Sequence, residues 1–430
     1  MEKVILSASY LIPVSSPPIK DGAVLVEDDR IKDIGPSGII KTKYPKISTR
    51  YFPDSILMPG LVDCHVHLEY SALGHLTKQV AFIPWIKDLI QRQKTLSRKE
   101  IVSSIRAAIN GLISSGVTTV GEVSRGGLSV SELKKSGLRG IYYNEFVAVD
   151  DKRMGKAIYD FEAYLRKSKS KLSKSNFKVG VFPHSVYTLS TKALEYVSSR
   201  CEKDEVLCGM HVAESPYEDE FISQGTGPLT EFVKSFQLES IPLSGKWYGT
   251  LEYLADLKLL NSLTQLVHCV HLKEKDFVLL EKTKTGIVIC PRSNYLLKNG
   301  EFPLQTALKY KLKMGLGTDS LAGNYSLDMF EEMRMLKEKW ECHSRLRGND
   351  GVEVFLGEKL IKAATLGGAE VLGLEKETGS LTPGKKADLI VVKINKPAKI
   401  FSPIDYIISK VSSSDVCFTM IDGVAKHKQA

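Results

Sequence analysis

Helix and strand alternate repeatedly through the middle of this chain, and that alternation narrows the possible folds. Ser97-Arg-Lys-Glu100 has the form of a capping box, a hydroxyl followed three residues later by a carboxylate. Ile101, Ile105, Ile109 and Leu112 follow at helical spacing, Gly116 stops the helix, and Val117-Thr-Thr-Val120 reads as a strand. Further strands are expected at Lys178-Val-Gly-Val-Phe182, Val206-Leu-Cys-Gly-Met210, Gln265-Leu-Val267, Gly286-Ile-Val-Ile-Cys290 and Lys313-Met-Gly-Leu-Gly317. Repeated βα units imply a parallel sheet, and this many over roughly 300 residues favour a closed α/β barrel of the (β/α)8 TIM type. The rival, an open doubly wound sheet, finds no G-x-G-x-x-G or Walker pattern to support it.

The two ends have a different texture. Val4-Ile-Leu-Ser-Ala8, Gly22-Ala-Val-Leu-Val-Glu27 and Ile31-Lys-Asp-Ile34 read as short strands, with a turn at Asp28-Asp29 and a stop at Gly35-Pro36. Ala387-Asp-Leu-Ile-Val-Val392, after the Pro383-Gly384 turn, and Val416-Cys-Phe-Thr-Met-Ile421, before Asp422-Gly423, read the same way. Chain termini tend to lie close together, so both ends are expected to form one small β-sandwich module. The expected division is 1–57 and 371–430 for the module and 58–370 for the barrel.

The composition, 43% hydrophobic and 25% charged, matches ordinary globular usage and excludes collagen-like and disordered classes. With 430 residues the chain can bury a full core without disulfides. Seven scattered cysteines argue against a disulfide framework and for a reducing compartment. No apolar run approaches the roughly 20 residues of a membrane span, and Met1-Glu-Lys-Val-Ile-Leu6 does not read as a secretory signal. A cytoplasmic protein with no membrane contact is expected. The net charge of +9 sits largely in runs such as Lys167 to Lys174, with a pair at Lys385-Lys386. Without an accompanying nucleic-acid motif these read as solvated helix ends and loops, so no nucleic-acid partner is expected. The charge would at least not repel an anionic small molecule.

Polar residues recur just past the expected strand ends, where a barrel holds its active site. His65 and His67 follow Pro59-Gly60-Leu-Val-Asp63, and residues i and i+2 of an extended chain point the same way, so both imidazoles can reach one metal. His211 follows Met210, with Glu214 three residues on; His268 follows Val267; Asp319 follows Gly317-Thr318. Three imidazoles and a carboxylate suit a borderline divalent ion with a position left open for water.

The run Leu57-Met-Pro-Gly-Leu-Val-Asp-Cys-His65-Val-His67 resembles the amidohydrolase superfamily. His211-Val-Ala-Glu214, Val267-His-Cys-Val-His271, Cys290-Pro-Arg-Ser-Asn294, Leu316-Gly-Thr-Asp319 and the tail Gly379-Ser-Leu-Thr-Pro-Gly384 are similar to its mononuclear aminohydrolase branch, which holds chlorotriazine hydrolases, guanine deaminase and adenosine-type deaminases. The resemblance implies that His65, His67, His211 and Asp319 ligate one divalent ion per subunit, zinc first, with iron or manganese as alternatives. It also gives Glu214, His268 and Asp319 catalytic roles: Asp319 takes the proton of an activated water, His268 orients it, and Glu214 protonates the substrate's ring nitrogen. The dinuclear hydrolases of the superfamily use a carboxylated lysine on a middle strand; Ile141-Tyr-Tyr-Asn-Glu-Phe146 offers Asn144 and Glu145 instead.

Within the branch, Glu69-Tyr-Ser-Ala-Leu73, Phe82-Ile-Pro-Trp85, Gly116 to Ser124 and Cys290 to Leu297 look most like aminofutalosine deaminases, which convert 6-amino-6-deoxyfutalosine to futalosine in a route to menaquinone. The alternatives are deamination of S-adenosylhomocysteine or methylthioadenosine, and triazine dechlorination. His184, Asn294, Glu69 and Trp85 are the candidate substrate-binding residues, each weighed against a packing role. His271, Cys64, Cys269 and Cys290 read as structural, and His75, His343 and His427 as surface residues. A small-molecule nucleoside substrate is the implied partner, and pairing into a homodimer is compatible with the branch.

Overall fold

Each of the first strands buries alternate residues on opposite faces, as the two-residue period of an extended chain requires. The structure is a computed structural model that describes residues 3–76, 79–235, 249–345, 353–395 and 402–429. Strands β1 (Lys3–Leu11), β2 (Ile19–Glu27), β3 (Arg30–Pro36) and β4 (Thr49–Pro59) come first. Then follow β5 (Leu61–Val66), β6 (Val117–Ser124), β7 (Arg139–Phe146), β8 (Phe177–Pro183), β9 (Cys208–Val212), β10 (Thr264–His268), β11 (Gly286–Ile289) and β12 (Met314–Leu316). These eight close into a barrel in which every pairing is parallel, β12 meeting β5 through Leu316 and Asp63. The doubly wound alternative is thereby excluded.

The last strands, β13 (Leu389–Lys393), β14 (Val416–Ile421) and β15 (Val424–Lys428), join β1 to β4 in one mixed sheet of order β15-β14-β13-β4-β1-β2-β3. The expected sandwich core is enclosed by this single sheet, which curls back on itself: Arg30 of β3 bridges Lys386, just before β13. Alternation assigns the faces. Leu57, Leu389, Val391, Phe418 and Met420 fill the sheet's own core, whereas Ile56, Met58, Ile390, Val392 and Ile421 pack into the barrel's core. The strand Ser55 to Met58 therefore belongs to the terminal sheet, and after a break at Gly60 His65 follows on β5 and His67 one residue past it.

The Ser97–Glu100 capping box forms, with Glu100 N–H bonded to Ser97 Oγ at 3.3 Å, and opens the helix Arg98–Ser114. Gly116, at φ +90°, ends it. Gly121 lets β6 lie close on β5, since a Cβ there would stand 2.1 Å from the carbonyl oxygen of Cys64, beside His65. Lys167, Lys169, Lys171 and Lys174 are exposed at the end of the helix Met154–Leu172, as expected for a solvated stretch. No helix among the described residues is long and apolar enough to cross a membrane.

One buried cation ties sheet to barrel. Arg139, at the start of β7, donates to Asp388 Oδ2 at 2.9 Å, Glu377 Oε2 at 3.0 Å and Asp422 Oδ1 at 2.5 Å. Burial raises the pKa of Asp388, and Arg139 is the cation that opposes it. Removing that cation strands buried carboxylate charge, so Arg139→Met should cost about 3–5 kcal/mol. In the variant the Asp388 pKa rises further in the folded state, and the unfolded chain then binds fewer protons than the folded one. The deficit should therefore be larger at pH 8 than at pH 5, as read from urea unfolding at both; a pH-independent deficit would contradict this role.

Candidate metal centre and active site

Four barrel strands deliver the expected groups to one point. His65 lies on β5, His67 one residue past its end, His211 on β9, His268 at the end of β10, and Asp319 three residues beyond β12. Nε2 of His211 stands 3.2 Å from Nε2 of His65 and 3.4 Å from that of His67. Donors at Zn–N distances of about 2.0–2.1 Å in a tetrahedron are about 3.4 Å apart, which matches this spacing. Oδ1 of Asp319 lies 3.7 Å and 3.8 Å from the Nε2 atoms of His65 and His67.

The protonation states suit a cation. Burial, the dominant influence on each ring, lowers the pKa of His65, His67 and His211 below the usual imidazole value, so all three are neutral with lone pairs to offer. Nδ1–H of His211 donates to the His184 carbonyl at 2.9 Å, which fixes the tautomer and leaves its Nε2 lone pair facing the other two rings. Burial pushes Asp319 up, but its contacts with His65, His268 and His67 outweigh that and hold it below the ordinary carboxylate range. Three imidazole nitrogens and a carboxylate oxygen converging on one point are a donor set that a divalent ion fits.

The strand ends carry backbone conformations that side chains rarely adopt. Ala213, His268, Cys269 and Asp319 have φ of 49°, 74°, 53° and 60°. Such left-handed residues persist only where surrounding bonds over-determine them, and they cluster at functional sites. Glu218 supplies those bonds at β9, accepting the N–H groups of Ala213, Glu214 and Ser215 at 2.7, 2.7 and 3.1 Å. Asp63 does so at β12, accepting from Thr318 N–H at 3.1 Å and Thr318 Oγ1 at 2.5 Å.

A single segment after β11 grips three of the reactive groups. Ser293 Oγ donates to Asp319 Oδ2 at 2.5 Å, Nδ1–H of His268 donates to Asn294 Oδ1 at 2.8 Å, and Asn299 Nδ2 donates to Glu214 Oε1 at 3.0 Å. Asn299 is itself held, its carbonyl accepting from His271 Nε2 at 2.6 Å and its N–H donating to the Asn294 carbonyl at 2.9 Å. Burial raises Glu214 well above the ordinary carboxyl value, which favours its protonated form. Its Oε1 lies 3.7 Å from Nε2 of His268.

These groups open into a cleft with about 430 Å³ of empty space. His67, His211, His268 and Asp319 reach it, Glu214 and His184 add polar groups, and Tyr70, Phe82, Trp85, Ile86, Leu89 and Tyr187 supply apolar wall. A larger cavity, about 1080 Å³, lies on the other side of Asn294 and holds none of the reactive groups. Trp85 lines the cleft with its indole N–H on the Ala322 carbonyl at 2.9 Å. His184 lines it too, and burial lowers its pKa to about 3. Asn294 stands behind His268 and not in the cleft wall.

Glu69 is turned away from the cleft. Its carboxylate accepts from Ser124 Oγ at 2.5 Å and from the N–H groups of Gly126 and Leu128 at 3.1 and 2.8 Å, so it anchors the loop after β6. Cys64, Cys269 and Cys290 are buried in apolar clusters, their thiol pKa values raised by burial. His427 is half-buried on the Val416 carbonyl at 3.2 Å, and the side chains of His75 and His343 lie outside the described residues.

Sequence reading passed over Ser293, Asn299, Glu218 and Asp63 as individual residues. Ser293 and Asp63 lie inside motifs that were noticed; Asn299 and Glu218 carry no local pattern and acquire a role only through tertiary contact.

The amidohydrolase family model matches residues 56–425. The aminodeoxyfutalosine deaminase of Nitratiruptor sp. is 28% identical over 376 residues, covering 87% of this chain and 88% of that one. The 5-methylthioadenosine/S-adenosylhomocysteine deaminase of Moorella thermoacetica is 26% identical over 432 residues, covering 98% and 94%. In fold, the chain is similar to a crystal structure of an adenosine deaminase from Xanthomonas campestris with bound zinc, at a TM-score of 0.84 and 22% identity, covering 99% of this chain and 93% of that one.

Partners behind metal ligands typically contribute 10- to 100-fold in metal affinity. Ser293→Ala should therefore weaken Zn²⁺ binding by about that factor, measured by titration against a competing chelator; wild-type affinity would contradict the role given to Ser293.

Proposed function

Because this chain belongs to the amidohydrolase family, we propose that it is a metal-dependent hydrolytic deaminase of an adenine nucleoside, with 6-amino-6-deoxyfutalosine, converted to futalosine and ammonia, as the substrate. The observation that carries this reading is the pairing of the His65/His67/His211 donor cluster, with Asp319 beside it, and a Glu214 carboxyl that burial pushes toward its protonated form, at one apolar-walled cleft. A divalent ion held by those four residues, zinc first, would lower the pKa of a coordinated water from 15.7 to about 7 and so supply a nucleophile at neutral pH.

The chain's own groups handle the protons. Glu214 presents its carboxyl proton to the purine ring nitrogen beside the amino-bearing carbon, so negative charge does not build up there as water adds. His268 meets the incoming water with its Nε2 lone pair, because its Nδ1–H is committed to Asn294. Asp319, ionised and held by Ser293, takes the water's proton and can return it to the departing amine. Phe82 and Trp85 give the planar base an apolar surface and displace bulk water. General acid–base steps of this kind are typically worth 10²–10⁴-fold. Deamination of methylthioadenosine or S-adenosylhomocysteine is the second reading, favoured by the match to the Moorella enzyme over nearly the whole chain.

Purified protein should release one ammonia per nucleoside, followed as loss of absorbance at the adenine band, with the highest kcat/KM on 6-amino-6-deoxyfutalosine. Glu214→Gln should lower kcat by about 10²–10⁴. Chloride release from a chlorotriazine without ammonia release from any nucleoside would overturn the reading.

A further inference from the structure

The loop after β6 carries a cation, Arg125, whose charge reaches the cleft wall and which none of the steps above uses. Ser124, the last residue of β6, is in register with Asn144 of β7, which brings Arg125 level with Glu145, a residue of the cleft wall. The backbone on both sides of Arg125 is fixed, because Ser124 Oγ and the N–H groups of Gly126 and Leu128 all end on Glu69, two residues past His67. Arg125 itself is exposed, and among the described residues its guanidinium makes no hydrogen bond or ion pair. Its charge nevertheless acts on Tyr70, Glu145 and His184, all of which line the cleft. Among the described residues the guanidinium is thus near the cleft and unpaired.

The two acids nearby do not consume it. Both oxygens of Glu69 are taken up by the loop's donors. Glu145 is buried, and burial raises its pKa to about 7, so it is only partly ionised at neutral pH. A planar guanidinium with free N–H groups matches a carboxylate in bidentate geometry, and such charge-assisted pairs are among the stronger hydrogen bonds. A nucleoside whose base meets Glu214 and His268 has the rest of the same cleft for its 5′ substituent, a cleft whose wall includes Tyr70, Glu145 and His184.

We infer that Arg125 is the specificity-determining residue of this site, receiving a carboxylate borne on the 5′ extension of an adenine nucleoside. The inference rests on the deaminase reading and adds to it the charge of the preferred substrate and the residue that selects it.

The test compares kcat/KM for 6-amino-6-deoxyfutalosine, which carries a benzoate, with kcat/KM for neutral methylthioadenosine, in wild type, Arg125→Ala and Arg125→Glu. Losing a hydrogen bond to a charged partner predicts that the ratio falls by about tenfold or more in Arg125→Ala, mainly through KM. In Arg125→Glu it should fall further, since the introduced charge repels the carboxylate. A ratio that stays constant across the three proteins, or a wild type that prefers the neutral nucleoside, overturns the assignment of Arg125 while leaving the deaminase reading intact. Failure of wild type to deaminate either nucleoside removes the deaminase reading and the inference with it.

Discussion

Desolvation of three imidazoles around a single point is the constraint on which this site turns. Burial keeps the three rings neutral, and the Nδ1–H of His211 on the His184 carbonyl turns the Nε2 lone pair of that ring toward the other two. His65, His67 and His211 are buried with their Nε2 atoms close together, and a cation at that point would satisfy all three lone pairs at once. The same dryness acts in the opposite sense on the acids: burial pushes Glu214 toward its protonated form, whereas contacts with the rings hold Asp319 toward its ionised one. Two carboxyls in one cleft are thereby pushed in opposite directions by their surroundings, which is how a fold divides acid from base work at one pH.

The barrel makes this arrangement affordable in conformational terms. Eight short parallel strands fix where each chain segment ends, and reactive groups sit on or just past those ends. Left-handed φ values at Ala213, His268, Cys269 and Asp319 would relax if the loops were free. Buried acceptors prevent this: Glu218 collects three N–H groups at one strand end and Asp63 collects Thr318 at another. The terminal sheet braces the opposite side, with Ile56, Met58 and Ile390 packed into the barrel core and Arg139 bonded to Asp388.

Much of this was legible in the sequence because it rests on local period and order. The capping box at Ser97, the stop at Gly116 and the apolar runs before His211 and His268 each use rules confined to about ten neighbouring residues. The ligand set was legible because each member directly follows such a run. What escaped is what depends on the return of distant chain. Glu69, close after the histidine pair, looks like a substrate contact, but its carboxylate folds onto Gly126 and Leu128, more than fifty residues away. Asn299 meets Glu214 only because the turn after Asn294 bends back, and nothing in its neighbours signals that. The pairing order β15-β14-β13-β4-β1-β2-β3 within the expected terminal module likewise has no local signature.

The central claim is that one ion is held jointly by four residues from separate parts of the barrel. Crystals of protein loaded with Zn²⁺, with anomalous scattering recorded on both sides of the zinc edge, test it most directly. The account predicts one anomalous peak per chain, within bonding distance of Nε2 of His65, His67 and His211 and of the Asp319 carboxylate. A peak elsewhere, a second ion of equal occupancy beside the first, or no peak in catalytically active crystals would contradict it.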